Sequence, residues 1–193
     1  MTTIWTCAEL LRGESSRRYA LIIVNQPIRK DVLDRVWNAA QMRLCADGGG
    51  NRLYNVDKSY LPDMIKGDLD SLRPDVREYY ESRGVPVKHD SDEYSTDLMK
   101  CIVEVPEDVA LVLLGGLSGR VDQTVHTMSL LHKLERDIFV LSEESMAWLL
   151  RKVHWDTSLL GNLSTSNHLL PEHEVIRIET SKSVLWTVEI RPL

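Results

Sequence analysis

A chain of 193 residues, 43% hydrophobic and 27% charged, has room for one globular domain or one plus a small appendage. It can bury enough apolar surface to fold without a disulfide or structural metal. Its net charge of −6 argues against a nucleic-acid groove, which needs clustered Lys and Arg, but not against a nucleotide arriving as its magnesium complex, which needs carboxylates too. The widely spaced Cys7, Cys45 and Cys101 form no metal-ligand cluster, and no apolar run has signal-peptide or membrane-spanning character. The expectation is a cytoplasmic protein with reduced thiols and no membrane attachment.

Residues 1–18 lack clean periodicity and read as a lead-in. Residues 19–24 are continuously apolar and end at Asn25-Gln26-Pro27, as expected for a strand buried on both faces. Behind Asp31, a candidate N-cap, the residues Val32, Leu33, Val36, Trp37 and Ala40 recur at helical spacing. A second strand over 43–46 ends in Asp47-Gly48-Gly49-Gly50-Asn51. Three consecutive glycines cost backbone entropy, so they mark a tight turn or a close approach to the backbone.

A third strand over 64–66 delivers Gly67-Asp68-Leu69-Asp70-Ser71, and a helix with Pro74 in its first turn runs over 74–83. Residues 85–89 form a fourth strand that Pro86 places near a sheet edge. After the acidic, hydroxylated stretch 90–97, a helix begins at Thr96, with Leu98, Cys101, Ile102 and Val105 on one face and Lys100 one turn from Thr96 and Asp97. The fifth strand, 109–114, opens into Gly115-Gly116-Leu117-Ser118-Gly119-Arg120 and a long amphipathic helix over 121–134. A sixth strand spans 138–141, and 144–150 reads as a short helix.

Strand alternating with helix predicts an α/β fold over 19–150, a parallel sheet of about six strands with helices on both faces. From 151 to 193 the texture changes, and the alternating runs 175–179 and 184–190 predict a small antiparallel β domain too short for a complete sandwich.

In such sheets ligands bind beyond the carboxyl ends of the strands. Asp47, the pair Asp68 and Asp70, Asp97, and the loop from Gly115 to Arg120 all fall there. Asp68 and Asp70, two positions apart, are candidates to share one magnesium ion, with Asp47 and Asp97 as further ligands or their partners. Gly115, Gly116 and Gly119 leave backbone N–H groups open to phosphate oxygens, and Arg120 adds a fixed charge at a helix start. No P-loop, GxGxxG, GxSxG or HExxH motif is present, and His126 and His132 read as packing or surface residues.

Taken together, Asn25-Gln26-Pro27, Ala46-Asp47-Gly48-Gly49, Asn51-Arg52-Leu53-Tyr54, Gly67-Asp68-Leu69-Asp70-Ser71, Ser95-Thr96-Asp97 with Lys100, and Gly115 to Arg120 with Asp122-Gln123 form an ordered set. With Ser164-Thr165-Ser166-Asn167 and Leu185-Trp186-Thr187, this set resembles the thiamine pyrophosphokinases, most closely those of eukaryotic, fungal type. The resemblance implies a transferase that moves diphosphate from ATP to thiamine with Mg2+, built as an α/β domain plus a β-sandwich and working as a homodimer.

By matching position it assigns Asp47, Asp68, Asp70 and Asp97 to metal and triphosphate, and Gly48, Thr96, Lys100, Gly115, Gly116 and Arg120 to the nucleotide. Asp122 and Gln123 belong to the same motif, Ser164 and Asn167 to the thiamine side, and Trp155 is either an aromatic surface for thiamine or sheet core. One departure stands out: between Leu150 and Trp155 the family carries further β strands that this chain passes almost directly. The alternative expectation is therefore a catalytically impaired nucleotide- or thiamine-binding protein.

Overall fold

The alternating apolar runs and amphipathic segments form one eight-stranded sheet in a computed structural model, which describes residues 7–12, 18–153 and 182–189. In chain order the elements are α1 (Cys7–Arg12), β1 (Tyr19–Ile23), α2 (Lys30–Trp37), β2 (Met42–Ala46), α3 (Gly49–Val56), β3 (Met64–Gly67), α4 (Pro74–Glu81), β4 (Val87–His89) and α5 (Asp97–Ile102). They continue as β5 (Ala110–Leu114), α6 (Val121–Lys133), β6 (Ile138–Leu141), β7 (Ser145–Val153) and β8 (Lys182–Glu189). The spatial order is β4-β3-β2-β1-β5-β6-β7-β8.

The first six of these strands are parallel, as the strand-helix alternation requires, and β7 and β8 add two antiparallel strands. β1 lies in the middle and is buried on both faces. Tyr19, Leu21 and Ile23 pack with Val32, Leu33 and Val36 of α2, Leu53 of α3 and Val76 of α4. Ala20 and Ile22 pack with Leu98 and Cys101 of α5 and Leu130 of α6 on the other face. β4 sits at the sheet edge with Pro86 just before it, so the missing N–H of proline costs the ladder nothing. Cys45 and Cys101 are buried free thiols. No helix among the described residues is long and apolar enough to cross a membrane.

Several expectations are corrected. The lead-in contains the short helix α1, whose Leu10 is buried against the core. α2 begins at Lys30, so Asp31 sits in its first turn, bonded to Arg29, instead of capping it. Of residues 144–150, Glu144 lies in a bend and 145–150 belong to β7, so there is no helix here. A turn closed by Ser142 N donating to Ser145 O at 2.8 Å reverses the chain, and Phe139 then stands opposite Trp148. Met146, Ala147, Trp148 and Leu149 are all buried, a run that carries neither strand nor helix periodicity, so pairing with β6 and β8 decides its conformation.

The glycine triplet opens α3. A Cβ on Gly49 would lie 2.2 Å from the Ile23 carbonyl oxygen, so the close approach is by the end of β1. β8 pairs with β7, across the expected boundary at 150–151, while the run 175–179 lies outside the described residues.

Tyr19 ties the central strand to α2. Its buried hydroxyl donates to the Val36 carbonyl at 2.7 Å, near a helix end where carbonyls lack intrahelical donors. Burial pushes this phenol up to about 12 from 10.0. Between those values the unfolded tyrosine ionises and the folded one does not, so its contribution falls as pH rises through that window. We expect Tyr19→Phe to lower urea-unfolding stability by about 1 kcal/mol at pH 7. The gap to the unmodified chain should close by about 1 kcal/mol near pH 11.

Candidate active site

From β1 the chain winds outward through β2, β3 and β4, then returns to place β5 on the other side of β1. The loops after β1 and β5 therefore diverge and open a crevice at the carboxyl ends of the strands. It has a volume of about 380 Å3. A hollow of about 440 Å3 at the opposite edge is lined by Arg18, Asp108, Glu135 and Arg136, and its arginines are engaged within the fold: Arg18 bonds Asp108, and Arg136 bonds backbone carbonyls.

Three loops interlock on the acidic wall of the crevice. Asp47 follows β2 with a left-handed φ of 44° and is 4% exposed. Its Oδ1 accepts from Leu72 N at 3.1 Å and its Oδ2 from Ser71 N at 3.2 Å. Asp97, the first residue of α5, accepts through Oδ1 from Asp68 N at 3.1 Å and from Lys100 Nζ at 3.2 Å. The loop after β3 thus hangs between two carboxylates from its neighbours. Gly67 makes this possible, because a Cβ there would lie 2.7 Å from Asp47 Cβ and 2.9 Å from Asp97 Oδ1.

The result is that Asp47, Asp68 and Asp97 each place a carboxylate oxygen within 4.8 Å of the others. Asp70 is not in this trio. β3 ends at Gly67, Leu69 turns with φ 63°, and Asp70 N donates back to Asp68 Oδ1 at 3.1 Å, so the two aspartates lie in a turn just past the strand end. Asp70 still lines the crevice and accepts from Ser71 Oγ at 2.9 Å. Burial pushes the Asp47 carboxyl above its ordinary value, and the Asp97 and Asp68 charges act the same way against hydrogen bonds from Gly48 and Ser71. An all-oxygen set whose members repel one another fits a hard divalent cation such as Mg2+.

Opposite this wall lie Asn25 and Gln26 after β1, Gly115, Gly116, Ser118 and Arg120 after β5, and Gln123 and Thr127 on α6. Thr96 caps α5, its Oγ1 accepting from Met99 N at 3.4 Å and lying 3.1 Å from His126 Nε2. Ser118 Oγ is buried without a hydrogen-bond partner. Arg120 pairs with Asp122 at 2.5 Å, and both side chains are exposed. Lys100 is buried beneath Asp97 and does not line the crevice; neither do Gly48 and Asp122. Ser164, Asn167 and Trp155 lie outside the described residues.

Asn25, Gln26, Ser71, Ser95, Ser118 and Thr127 line the crevice without having been assigned a role from sequence. The strand-end rule that found Asp47 applies equally to Asn25-Gln26. His126 carried no such signal, since its contact with Thr96 joins two helices.

A cation at the trio should stabilise the fold by about 2.7 kcal/mol at a hundred times its dissociation constant. We expect Mg2+ to raise the melting temperature of the unmodified chain. Gly67→Ala, which pushes Asp47 and Asp97 apart, should remove most of that gain; the measurement is thermal unfolding with and without MgCl2.

The family model described as "Thiamin pyrophosphokinase, catalytic domain" matches residues 33–141. Thiamine pyrophosphokinase 3 of Oryza sativa subsp. japonica is 30% identical over 234 residues, covering 90% of this chain and 87% of the relative. That alignment is longer than the whole chain, so the relative carries residues with no counterpart here. Among solved structures, thiamin pyrophosphokinase from Candida albicans is 28% identical with a TM-score of 0.64, covering 71% of this chain and 62% of that one. The yeast thiamin pyrophosphokinase is 26% identical with a TM-score of 0.67, covering 75% and 65%. This chain matches less than two thirds of the length of either solved chain.

Proposed function

This chain belongs to the thiamine pyrophosphokinase family, and from that premise we propose that it transfers a diphosphate group from ATP to the hydroxyl of thiamine, giving thiamine diphosphate and AMP. The observation that carries the proposal is the carboxylate trio facing a glycine-rich loop across the crevice between β1 and β5. In the reaction the thiamine hydroxyl oxygen forms a bond to the β-phosphorus. The bond from that phosphorus to the oxygen bridging it to the α-phosphorus breaks, its electron pair leaves with AMP, and the hydroxyl proton passes to a base. No covalent enzyme intermediate is needed, so the work of the site is positioning and charge neutralisation.

Asp47, Asp68 and Asp97 would hold Mg2+, with Asp70 on the same wall. When bound, the ion would offset the negative charge of the triphosphate and orient it. Gly115 and Gly116 line the crevice, but the Gly115 N–H is not open as expected, since it donates to the Leu141 carbonyl at 2.7 Å; the unpartnered Ser118 hydroxyl can donate to a phosphate oxygen. The Arg120–Asp122 pair is exposed and so holds Arg120 weakly, leaving the guanidinium able to turn toward a phosphate at little cost. Lys100 acts from below by holding Asp97, and Thr96 by capping α5. Gly48 serves through packing, since it lies against Asn25 on the crevice wall. Asp122 restrains Arg120 when no nucleotide is present, and Gln123 reaches the crevice from α6.

The proposal extends to a cytoplasmic homodimer in which Ser164, Asn167 and Trp155 serve thiamine. The family match over 33–141, which includes the whole acidic wall and the glycine-rich loop, favours the enzyme over a non-catalytic binder. Purified protein given thiamine, ATP and Mg2+ should release AMP and thiamine diphosphate in equal amounts, and Asp97→Asn should lower kcat by about 100-fold or more. ADP as the sole nucleotide product, or ATP binding without turnover, would overturn the proposal.

A further inference from the structure

A lysine inside a strand is rarely buried unless it is paired. Lys66, in the interior of β3, is 8% exposed. Its Nζ lies 2.8 Å from Glu104 Oε1 and 3.3 Å from Asp90 Oδ2. Those two partners bracket the segment that carries Ser95, Thr96 and Asp97: Asp90 stands just after β4, and Glu104 just after α5. One ammonium therefore grips both ends of that segment.

The backbone around Lys66 holds the other members of the trio. Its carbonyl accepts from Asp47 N at 3.0 Å, the Gly67 carbonyl accepts from Asp90 N at 2.8 Å, and Asp68 follows directly. α5 has only six residues, too few to keep its place by helical hydrogen bonding alone. Lys88 also reaches Glu104, at 3.3 Å, but its side chain is half exposed and sits at the edge strand, so it supports the grip without replacing it. An apolar side chain would fill position 66 without the desolvation cost of an ion pair, so burial alone does not require a lysine there.

We infer that Lys66 is a positioning residue: by clamping Asp90 and Glu104 it sets where Asp97 stands relative to Asp47 and Asp68. The inference rests on the reading of that trio as the cation site. It concerns a residue that reaches neither the crevice nor the reacting atoms.

The test compares Lys66→Met with Lys66→Arg in the full chain, using calorimetric Mg2+ binding, steady-state kinetics and amide hydrogen exchange. Lys66→Met should weaken Mg2+ binding and lower kcat, each about tenfold, while the KM for thiamine stays within twofold; Lys66→Arg should recover most of both. Exchange over residues 90–104 should quicken in Lys66→Met relative to the rest of the sheet. If Lys66→Met does not fold, Glu104→Gln and Asp90→Asn, each removing one end of the clamp at partly exposed positions, should give the same pattern at smaller size. A variant that lowers the melting temperature but leaves Mg2+ affinity, kcat and the exchange of 90–104 unchanged overturns the inference. Should the unmodified chain bind no Mg2+, the cation-site reading fails by itself, and the exchange of 90–104 still decides whether Lys66 clamps that segment.

Discussion

Everything at the carboxyl edge of the sheet depends on three like charges being held within 4.8 Å of one another. Left free, such groups move apart or bind protons. Here the backbone prevents separation, because Asp47 is committed to the N–H groups of Ser71 and Leu72, and Asp97 to that of Asp68. Each carboxylate thereby satisfies peptide donors of a loop that has no regular secondary structure of its own. The electrostatic cost of the cluster and the stability of the loop are one arrangement, and a bound cation would relieve the first without disturbing the second.

The sheet topology explains why this cluster forms at one place. β2 and β3 are parallel neighbours, so their loops emerge side by side, and α5 packs against both strands on the face opposite α2 and α3. Its first residue, Asp97, therefore arrives beside the ends of β2 and β3. The reversal of strand order between β1 and β5 leaves the space into which the trio looks. Two bare backbones keep the parts close: Gly49 lets α3 start against the end of β1, and Gly67 lets Asp47 and Asp97 meet across it.

Much of this was legible in the sequence because the signals were local. Continuous apolar runs marked the strands, and polar residues at their ends marked the crevice, so Asp47, Asp68, Asp97, Gly115 and Gly116 could be placed on one edge without knowing the strand order. What could not be read depended on pairing between distant segments. The residues of β7 gave no periodicity, since strand β6 and both core clusters claim successive side chains. The strand-end rule put Asp68 and Asp70 in one loop, and both line the crevice, but the left-handed Leu69 between them and the approach of Asp47 and Asp97 to Asp68 could not be read from their spacing. Lys66 looked like an ordinary strand residue because Asp90 and Glu104 become its neighbours only when β4 and α5 fold back on β3.

The crevice is lined by residues from Val24 to Thr127, inside a core that closes on itself. The C-terminal strands are not a loose addition to that core. Met146 and Trp148 pack on one face of the sheet with Phe139 and Leu141, Leu149 packs on the other, and β8 pairs along β7. The strands β7 and β8 therefore finish the same core that carries the crevice.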